Sequence, residues 1–118
     1  MIAKVIAWDN VNKEMIEDVA SINFKAEMIV TSNLCFYPFD DVELMQSTGL
    51  IDQNGKEIFE GHIVKDTNGV IAYIVFLQKD MGYFIVYKKS DRRLSEVDNY
   101  QFEILGNIYQ DKHLLWGD

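Results

Sequence analysis

The chain has 118 residues, the length of one small globular domain, and its composition is 48% hydrophobic and 25% charged. A chain this apolar is not an intrinsically disordered protein. Nineteen acidic residues against eleven basic ones give a formal net charge of −8, which disfavours a protein that coats nucleic acid or binds anionic membranes.

Cysteine content and apolar runs narrow the class further. Cys35 is the only cysteine, so the sequence excludes an internal disulfide framework and a cysteine-rich zinc module. No signal peptide is recognisable, and the longest apolar run, residues 70–77, is far shorter than the roughly 20 residues of a membrane helix. We therefore expect a soluble, cytoplasmic protein, although the residues alone do not define its activity.

The negative charge is concentrated in the first half of the chain. Residues 1–60 contain four lysines and eleven acids, whereas residues 61–118 contain seven basic and eight acidic residues. No linker rich in Pro, Gly or Ser separates the halves. We predict one domain, residues 1–118, with an acidic N-terminal part (1–43) and a turn-rich β-barrel part (44–118).

The N-terminal part predicts strands around one ambiguous stretch. Residues 4–8 are typical of a strand, and apolar residues at alternate positions between 22 and 30 favour another. Residues 11–20 are compatible with a helix or a strand, because their apolar residues recur near helical spacing. The residues at that spacing are Val11, Met15, Val19 and Ile22.

Two further segments complete this part. Residues 35–39, which surround the single proline, predict a loop packed on the core. We expect Cys35 to be buried there, because cysteine is among the most buried residue types. Residues 40–45 predict a short helical turn whose acids lie near its start, where the helix dipole favours them.

The C-terminal part predicts an antiparallel β-meander that curls into a small barrel. Asn-Gly pairs at positions 54–55 and 68–69 are typical of tight hairpin turns, and Gly82 fits a third turn. The segments between them are rich in β-branched and aromatic residues. The predicted strands are residues 57–59, 63–65, 70–77, 83–87 and 100–104, with a polar loop at 88–99. The fold class is therefore all-β, with one or two short helical turns.

Residues 70–77 are apolar on both faces of the predicted strand, and residues 83–87 show the same pattern. An antiparallel strand with one face in water normally alternates apolar and polar residues. The second face therefore needs a cover, supplied either by the N-terminal part or by another subunit.

A run near the middle of the chain resembles a known family. Its pattern is M-Q-S-T-G-L-x-D-x-x-G-x-x-I-F-E-G, closed by Ile-Val, and the C-terminal pattern G-N-I-Y supports it. The matching residues are Met45, Gln46, Thr48, Gly49, Leu50, Asp52, Gly55, Ile58, Phe59, Glu60, Gly61, Ile63, Val64, Gly106, Asn107, Ile108 and Tyr109. These patterns are similar to those of the YopX family of bacteriophage and prophage proteins.

The resemblance implies a β-rich fold with a small barrel-like sheet, encoded in phage or prophage genomes. It supplies no catalytic residues, because the family is of unknown function. One position departs from the pattern: relatives usually carry an acid where this chain has His62. A carboxylate function at that position would be altered here.

The central run also predicts structure from its residues alone. Its turn-forming residues indicate three chain reversals, at residues 48–50, 54–55 and 60–61. The apolar residues between these turns are expected to fill the core: Leu50, Ile58, Ile63 and Val64. We expect this run to specify folding rather than to form a binding loop.

Catalytic and metal sites find little support in the sequence. Cys35 lacks a local motif linking it to His62 or His113 as a nucleophile–base pair. No ligand spacing typical of zinc is present, and Glu57 and Glu60 would point to opposite faces of a strand. We therefore expect a non-enzyme without catalytic residues, cofactor or metal, and rank metal-assisted hydrolysis a distant third function.

Nucleic-acid binding is the second hypothesis. Five cations lie close together in sequence: Lys79, Lys88, Lys89, Arg92 and Arg93. Small barrels often stack bases on aromatic side chains, and tyrosines occur on the adjoining strands at positions 73, 83 and 87.

Protein contact is the first hypothesis, either as a homo-oligomer or with a host or phage protein. It rests on the doubly apolar strands and on a C-terminal tail that contains a tryptophan, a residue enriched at interface hot spots. The candidate interface residues are Tyr73, Val75, Leu77, Tyr83, Leu115 and Trp116.

Overall fold

The computed structural model describes residues 4–97 and 101–115. The chain divides into two compact units, Met1–Gln46 and Ser47–Asp118. Most of the described residues form antiparallel β-sheet, and the helical segments among them are single 3-10 turns. The predicted all-β fold class is therefore confirmed.

The first unit consists of a strand pairing around β1 and a separate three-stranded sheet. Its strands are β1 (Val5–Asp9), β2 (Glu14–Ile16), β3 (Val19–Asn23), β4 (Met28–Thr31), β5 (Phe36–Pro38) and the beginning of β6 (Val42–Ile51). β1 pairs with β2 and with β6, and the separate sheet has the order β3-β4-β5. Its core is formed by Ala7, Ile16, Ile29 and Val42.

The ambiguous stretch 11–20 is a turn followed by strands. Both carboxylate oxygens of the buried Asp9 accept hydrogen bonds, from the N–H groups of Val11 and Asn12 and from the Asn12 amide. Lys13 adopts a positive φ of 59° that lets the chain return along β1. Local hydrogen bonds to one aspartate therefore favour a hairpin over a helix.

Two local predictions in this unit were wrong. Residues 36–38 form β5 rather than a loop, and Cys35 is exposed instead of buried in the core. The helical turn extends only over Phe39–Asp41, because β6 begins at Val42 and pairs with β1. In both places pairing with a distant strand overrode a locally plausible alternative.

The second unit contains a five-stranded antiparallel sheet that curls as half a barrel. The strands of the unit that follow β6 are β7 (Glu57–Phe59), β8 (His62–Lys65), β9 (Ile71–Leu77), β10 (Gly82–Val86), β11 (Asp91–Arg93) and β12 (Glu103–Asn107). The sheet has the order β11-β10-β9-β8-β12, and β7 pairs with the end of β6. Its core is formed by Ile58, Val64, Ala72, Ile74, Ile85, Leu94 and Phe102.

The predicted polar loop 88–99 contains structure that the sequence analysis missed. β11 pairs with β10 there, and a 3-10 turn at Leu94–Glu96 places the side chain of Leu94 in the core. The last strand lies at 103–107 rather than 100–104. Residue 100 lies outside the described residues.

The predicted chain reversal at residues 48–50 is a β-bulge inside β6. Ser47 and Ile51 pair with Phe59 and Glu57, so β6 contributes more residues than β7 between these two pairs. The hydroxyl of Thr48 donates to the carbonyl of Ile58 at 2.7 Å. The strand therefore continues through the predicted corner, and side-chain hydroxyls bind polar groups of the distorted backbone.

Candidate functional site

The family-like central run builds the framework of the second unit. Its apolar members Ile58, Phe59, Ile63 and Val64 are buried, and Met45 is buried on β6 in the first unit. Other members are more accessible: Gln46 and Gly49 are exposed, and Glu60 is partly buried. These positions give most of the run a direct structural role.

Asp52 is the most highly connected polar residue of this run. Its side chain is 1% exposed, and one carboxylate oxygen accepts the N–H groups of Asn54 and Lys56, both at 2.9 Å. The other oxygen accepts the N–H of Ile104 on β12 at 3.1 Å. Burial alone raises the pKa of Asp52, but these hydrogen bonds outweigh it and lower the pKa.

His62 acts as a hydrogen-bond acceptor. Its Nδ1 accepts the backbone N–H of Phe59 at 2.9 Å across the bend that joins β7 to β8. Burial lowers the pKa of His62 to about 4, against a smaller opposing effect of the Asp52 carboxylate. The imidazole is therefore neutral at pH 7, as an acceptor at Nδ1 requires.

The C-terminal family-like element is a turn organised by Asn107 and Asp111. The side-chain oxygen of buried Asn107 accepts the N–H groups of Tyr109 and Gln110, and Asp111 accepts the N–H of Asn107. Gly106 lies directly against the Asp111 carboxylate, so a Cβ at position 106 would collide with it. The glycine therefore permits close packing of the turn.

The five predicted nucleic-acid contacts lie at two places in the meander. Lys79 lies in the β9–β10 turn, while Lys88 and Lys89 lie in the β10–β11 turn. These turns are at opposite ends of the five-residue strand β10, about 13 Å apart along the strand. The cations that are close in sequence therefore do not form one patch along β10.

The two arginines on β11 face in opposite directions. Arg93 lies over the ring of Phe84, 4.9 Å from its centroid, and donates to the carbonyl of Asp80. Arg92 is exposed and pairs with Ile85, and its charge acts on Tyr87. Alternate residues of a strand face opposite sides of the sheet. Arg92 therefore lies on the same side as Tyr87, while Arg93 lies on the other side, against Phe84.

The predicted aromatic residues are also divided between the faces of the sheet. Tyr83 and Tyr87 pack against the core, and the Tyr83 hydroxyl donates to the carbonyl of Ser47 at 3.1 Å. Burial raises the pKa of both phenols. Tyr73 pairs with Val86 on the opposite face. These three tyrosines therefore do not form a single stacking platform.

The predicted interface residues Tyr73, Val75 and Leu77 share the outer face of β9 and are partly buried. Tyr73 borders a groove of about 350 Å³ that is also lined by Ile108, Tyr109, Lys112 and Leu115. Tyr83 lies on the core side, and Trp116 lies outside the described residues. The structure thus brings Tyr73 and Leu115 together and separates Tyr83 from them.

A more exposed apolar surface lies on the three-stranded sheet of the first unit. Register pairs Val30 with Phe36 and Met28 with Pro38, so these four side chains share one face. Phe36 is 62% exposed, and Leu34 in the adjoining turn is 71% exposed. We call the surface formed by Met28, Val30, Leu34, Phe36 and Pro38 the outer β4–β5 face.

Sequence analysis missed the outer β4–β5 face because it treated residues 35–39 as a core loop. The aromatic cluster around Pro38 was visible in the sequence. The side to which these residues point follows from their pairing with β4, where Ile29 is buried and the neighbouring Met28 and Val30 are more accessible. Alternate residues of β4 face opposite sides of the sheet, so its sequence already indicated that Met28 and Val30 form an apolar face outside the core.

In residues 4–97 and 101–115, no three His, Cys, Asp or Glu side chains converge as metal ligands. None of the helical segments in that part of the chain has the length and apolar character that a membrane crossing requires.

Comparison with known proteins places the fold. The sequence profile described as YopX protein matches residues 4–116. Protein EF1440 from Enterococcus faecalis is 26% identical with a TM-score of 0.73, over 98% of this chain and 99% of that one. The protein yopX from Bacillus subtilis is 19% identical with a TM-score of 0.59, over 96% of this chain and 97% of that one, and shares the fold. No curated protein matches the chain.

Proposed function

This chain belongs to the YopX protein family, and on that premise we propose that it acts by binding another protein rather than by catalysis. We place it among cytoplasmic accessory proteins of a phage or prophage, the context that its family-like sequence patterns imply. The observation that carries the proposal is the exposed outer β4–β5 face.

The exposure of this face is hard to explain by folding alone. Single exposed apolar residues are common on proteins, but contiguous apolar patches mark interaction sites. Phe36 pairs with Val30, and Pro38 pairs with Met28, so the four side chains are neighbours on one face. More than half of the Phe36 surface is accessible to solvent. Burial of such a ring against a partner is a typical source of binding energy.

Photocrosslinking from position 36 tests the proposal. A benzoylphenylalanine in place of Phe36 should form protein adducts in bacteria that express the chain from its own prophage. The matched control carries the same group in place of Val11, which is 65% exposed in a turn of the same unit. Adducts at position 36 and few at position 11 are expected, and equal yields at both positions would contradict the proposal.

Nucleic-acid binding is the second candidate, favoured by the basic β10–β11 turn. Lys88 and Lys89 line an open groove with Asp66, Val70 and Tyr87, and Arg92 acts on the same tyrosine. Cations around an aromatic ring suit a phosphate backbone with a stacked base. The opposing facts are the net charge of −8 and the partial burial of Tyr87.

Fluorescence anisotropy with single-stranded and duplex oligonucleotides tests this candidate at low and moderate salt. The double variant Lys88→Ala with Arg92→Ala should then lose most of the binding, and the salt dependence should become shallower. Lys79→Ala, at the other end of β10, is the control and should bind as the wild type does. No binding at low salt would exclude this candidate.

A further inference from the structure

We infer that the outer β4–β5 face pairs with the same face of a second copy of this chain, related by a two-fold axis. This inference rests on the proposed function, because it names the partner for the same surface. Its argument uses the charge, the strand edge and the symmetry of residues 19–38.

Charge separates this surface from the rest of the acidic first half of the chain. Residues 1–60 contain eleven acids and four lysines, yet residues 19–38 contain one cation, Lys25, and one anion, Glu27. Two copies that approach through other surfaces of this acidic half bring net negative charge together, which opposes association. The three-stranded sheet carries no net charge, so this repulsion is weaker there.

The two charged residues are placed so that the surface complements itself. Lys25 and Glu27 are both exposed in the turn between β3 and β4, at one end of the outer β4–β5 face. In a two-fold interface a residue i meets j while j meets i. Lys25 of each copy can therefore meet Glu27 of the other, so one arrangement forms two opposite-charge pairs.

The free edge of the sheet favours face-to-face packing over strand addition. β5 is an edge strand, and Ile29 pairs with Tyr37 in the ladder. Phe39 N–H donates to the backbone carbonyl of Glu27 at 2.8 Å, and Pro38 has no N–H to offer to an added strand. A partner therefore gains more by covering the Phe36 side chain than by extending the sheet.

The side chains on this side of the sheet are apolar on β4 and β5 and polar on β3. Phe36, Val30 and Met28 form the apolar part, and Ser21 and Asn23 on β3 face the same side by pairing with Val30 and Met28. Phe36 alone leaves on the order of 100 Å² of aromatic surface in water. This face is smaller than a standard interface of about 800 Å² per partner, so we expect a reversible dimer in the micromolar range.

Light scattering coupled to size exclusion, over micromolar to hundreds of micromolar protein, tests the inference. The wild-type chain should shift from monomer to dimer with concentration. Phe36→Glu places a charge in the apolar part of the face in both copies and should weaken the dimer at least about tenfold. Val11→Glu adds the same charge at a similarly exposed position outside the face and should dimerise as the wild type does.

A charge exchange tests the two-fold arrangement itself. Lys25→Glu and Glu27→Lys should each weaken self-association, because like charges then meet twice across the axis. An equimolar mixture of the two variants should recover dimers, as each copy then presents the charge that the other needs. Both positions are exposed turn residues, so circular dichroism should confirm that both variants fold.

The outcomes separate this inference from the proposed function. A wild-type chain that is monomeric at every concentration, or a mixture that recovers no dimer, would overturn the two-fold pairing. If position 36 still crosslinks to a different protein, binding through the face holds with another partner. If it crosslinks to no protein and the chain is monomeric, both proposals fail. Adducts of twice the chain mass, together with recovery in the mixture, support the inference.

Discussion

Residues 52–56 and 66–70 share one pattern, Asp-x-Asn-Gly-x, and form the same turn. In each, the aspartate carboxylate accepts two N–H groups at 2.9 Å, and the glycine has a φ near +80°. In each, the aspartate N–H donates to the carbonyl of the fifth residue, at 2.8 Å for Asp52 and 3.0 Å for Asp66. The shared pattern thus gives the same local hydrogen bonding in both turns.

The surroundings of the two turns differ. Asp52 is buried and its second oxygen accepts the N–H of Ile104, while Gln53 N–H donates to Phe102 at 2.7 Å. The Asp66 carboxylate accepts the N–H groups of Asn68 and Val70 within its own turn, and Asp66 is only partly buried. The turn at Asp52 therefore binds β12 through a hydrogen bond, whereas the turn at Asp66 only reverses the chain between β8 and β9.

The largest expected effect is a loss of folding stability in acid, caused by His62, whose pKa is influenced by Asp52 of the buried turn. The pKa of His62 is about 4 in the folded chain and about 6.5 in an unfolded one. Between these values the unfolded state binds more protons, so the free energy of unfolding falls as pH decreases from 6.5 to 4. The loss due to His62 should reach up to about 3 kcal/mol by pH 4.

Urea unfolding at steps from pH 7 to pH 4 measures this loss. His62→Asn is the matched variant, because its Oδ1 occupies the position of Nδ1 and still accepts the N–H of Phe59. The stability of the wild type should fall more steeply than that of the variant over this window. Parallel curves would show that His62 keeps its ordinary pKa in the folded state.

The next largest effect is the difference in stability loss between Asp52→Asn and Asp66→Asn. Asparagine supports the same local turn, but its amide nitrogen cannot accept the N–H of Ile104. Asp52→Asn should cost about 2 kcal/mol, because a buried charge-assisted hydrogen bond is lost. Asp66→Asn should cost less than about 0.5 kcal/mol. Chemical denaturation measures both, and equal losses would mean that the contact with β12 contributes nothing.

Acid should also reveal the role of Asp52. Its pKa is lowered in the folded state, so its stabilising effect is complete above the unfolded value of 3.8. That effect is lost as pH falls below 3.8 through the folded pKa. In the variant Asp52→Asn this acid-sensitive component below pH 3.8 should be absent from unfolding curves.

Replacement of the two turn glycines by alanine should have equal effects. Gly55 and Gly69 have φ values of +79° and +80°, and a Cβ at either would meet nothing within 4 Å. Each substitution should cost about 1 kcal/mol, because the left-handed conformation is unfavourable for a residue with a Cβ. Thermal or urea unfolding should give similar losses for both. A much larger loss at Gly55 would show that tertiary contacts strain that turn as well.

The smallest effect concerns the ion pair that joins β8 to β12. Lys65 Nζ lies 3.5 Å from a carboxylate oxygen of Glu103, and both side chains are about 40% exposed, at 44% and 39%. Lys65→Ala should cost less than about 0.5 kcal/mol, and the loss should shrink in high salt. A loss as large as that of Asp52→Asn would show that the exposed ion pair, rather than the buried aspartate, holds β12.

The meander was predictable because its turns are specified by neighbouring residues in the sequence. Asn-Gly pairs specify turns at 54–55 and 68–69, and β-branched residues fill the strands between them. β9 begins at Ile71, one residue later than the predicted start, and ends at Leu77 as predicted. The family-like run could also be recognised from its residues, and its glycines and apolar residues form turns and core in this structure.

The candidate site was less predictable because it depends on pairing between distant residues. Residues 79–93 look like one basic cluster, but β10 separates its two ends and Arg93 lies on the ring of Phe84. Cys35 and Phe36 look like core residues, yet Phe36 lies on an edge strand, Cys35 directly precedes that strand, and both are exposed. Residues at opposite ends of an extended strand lie far apart in space even though they are close in sequence.

The sequence by itself determined the β class, the family, the two Asp-x-Asn-Gly-x turns and the concentration of negative charge in the first sixty residues. These properties depend on backbone preferences of neighbouring residues and on residue counts. Only the tertiary structure decided which aspartate is buried against β12, which faces of the sheets contact a core, and that Phe36 is exposed. Register places one face of a strand towards the core and the other towards water, and register is set by long-range pairing.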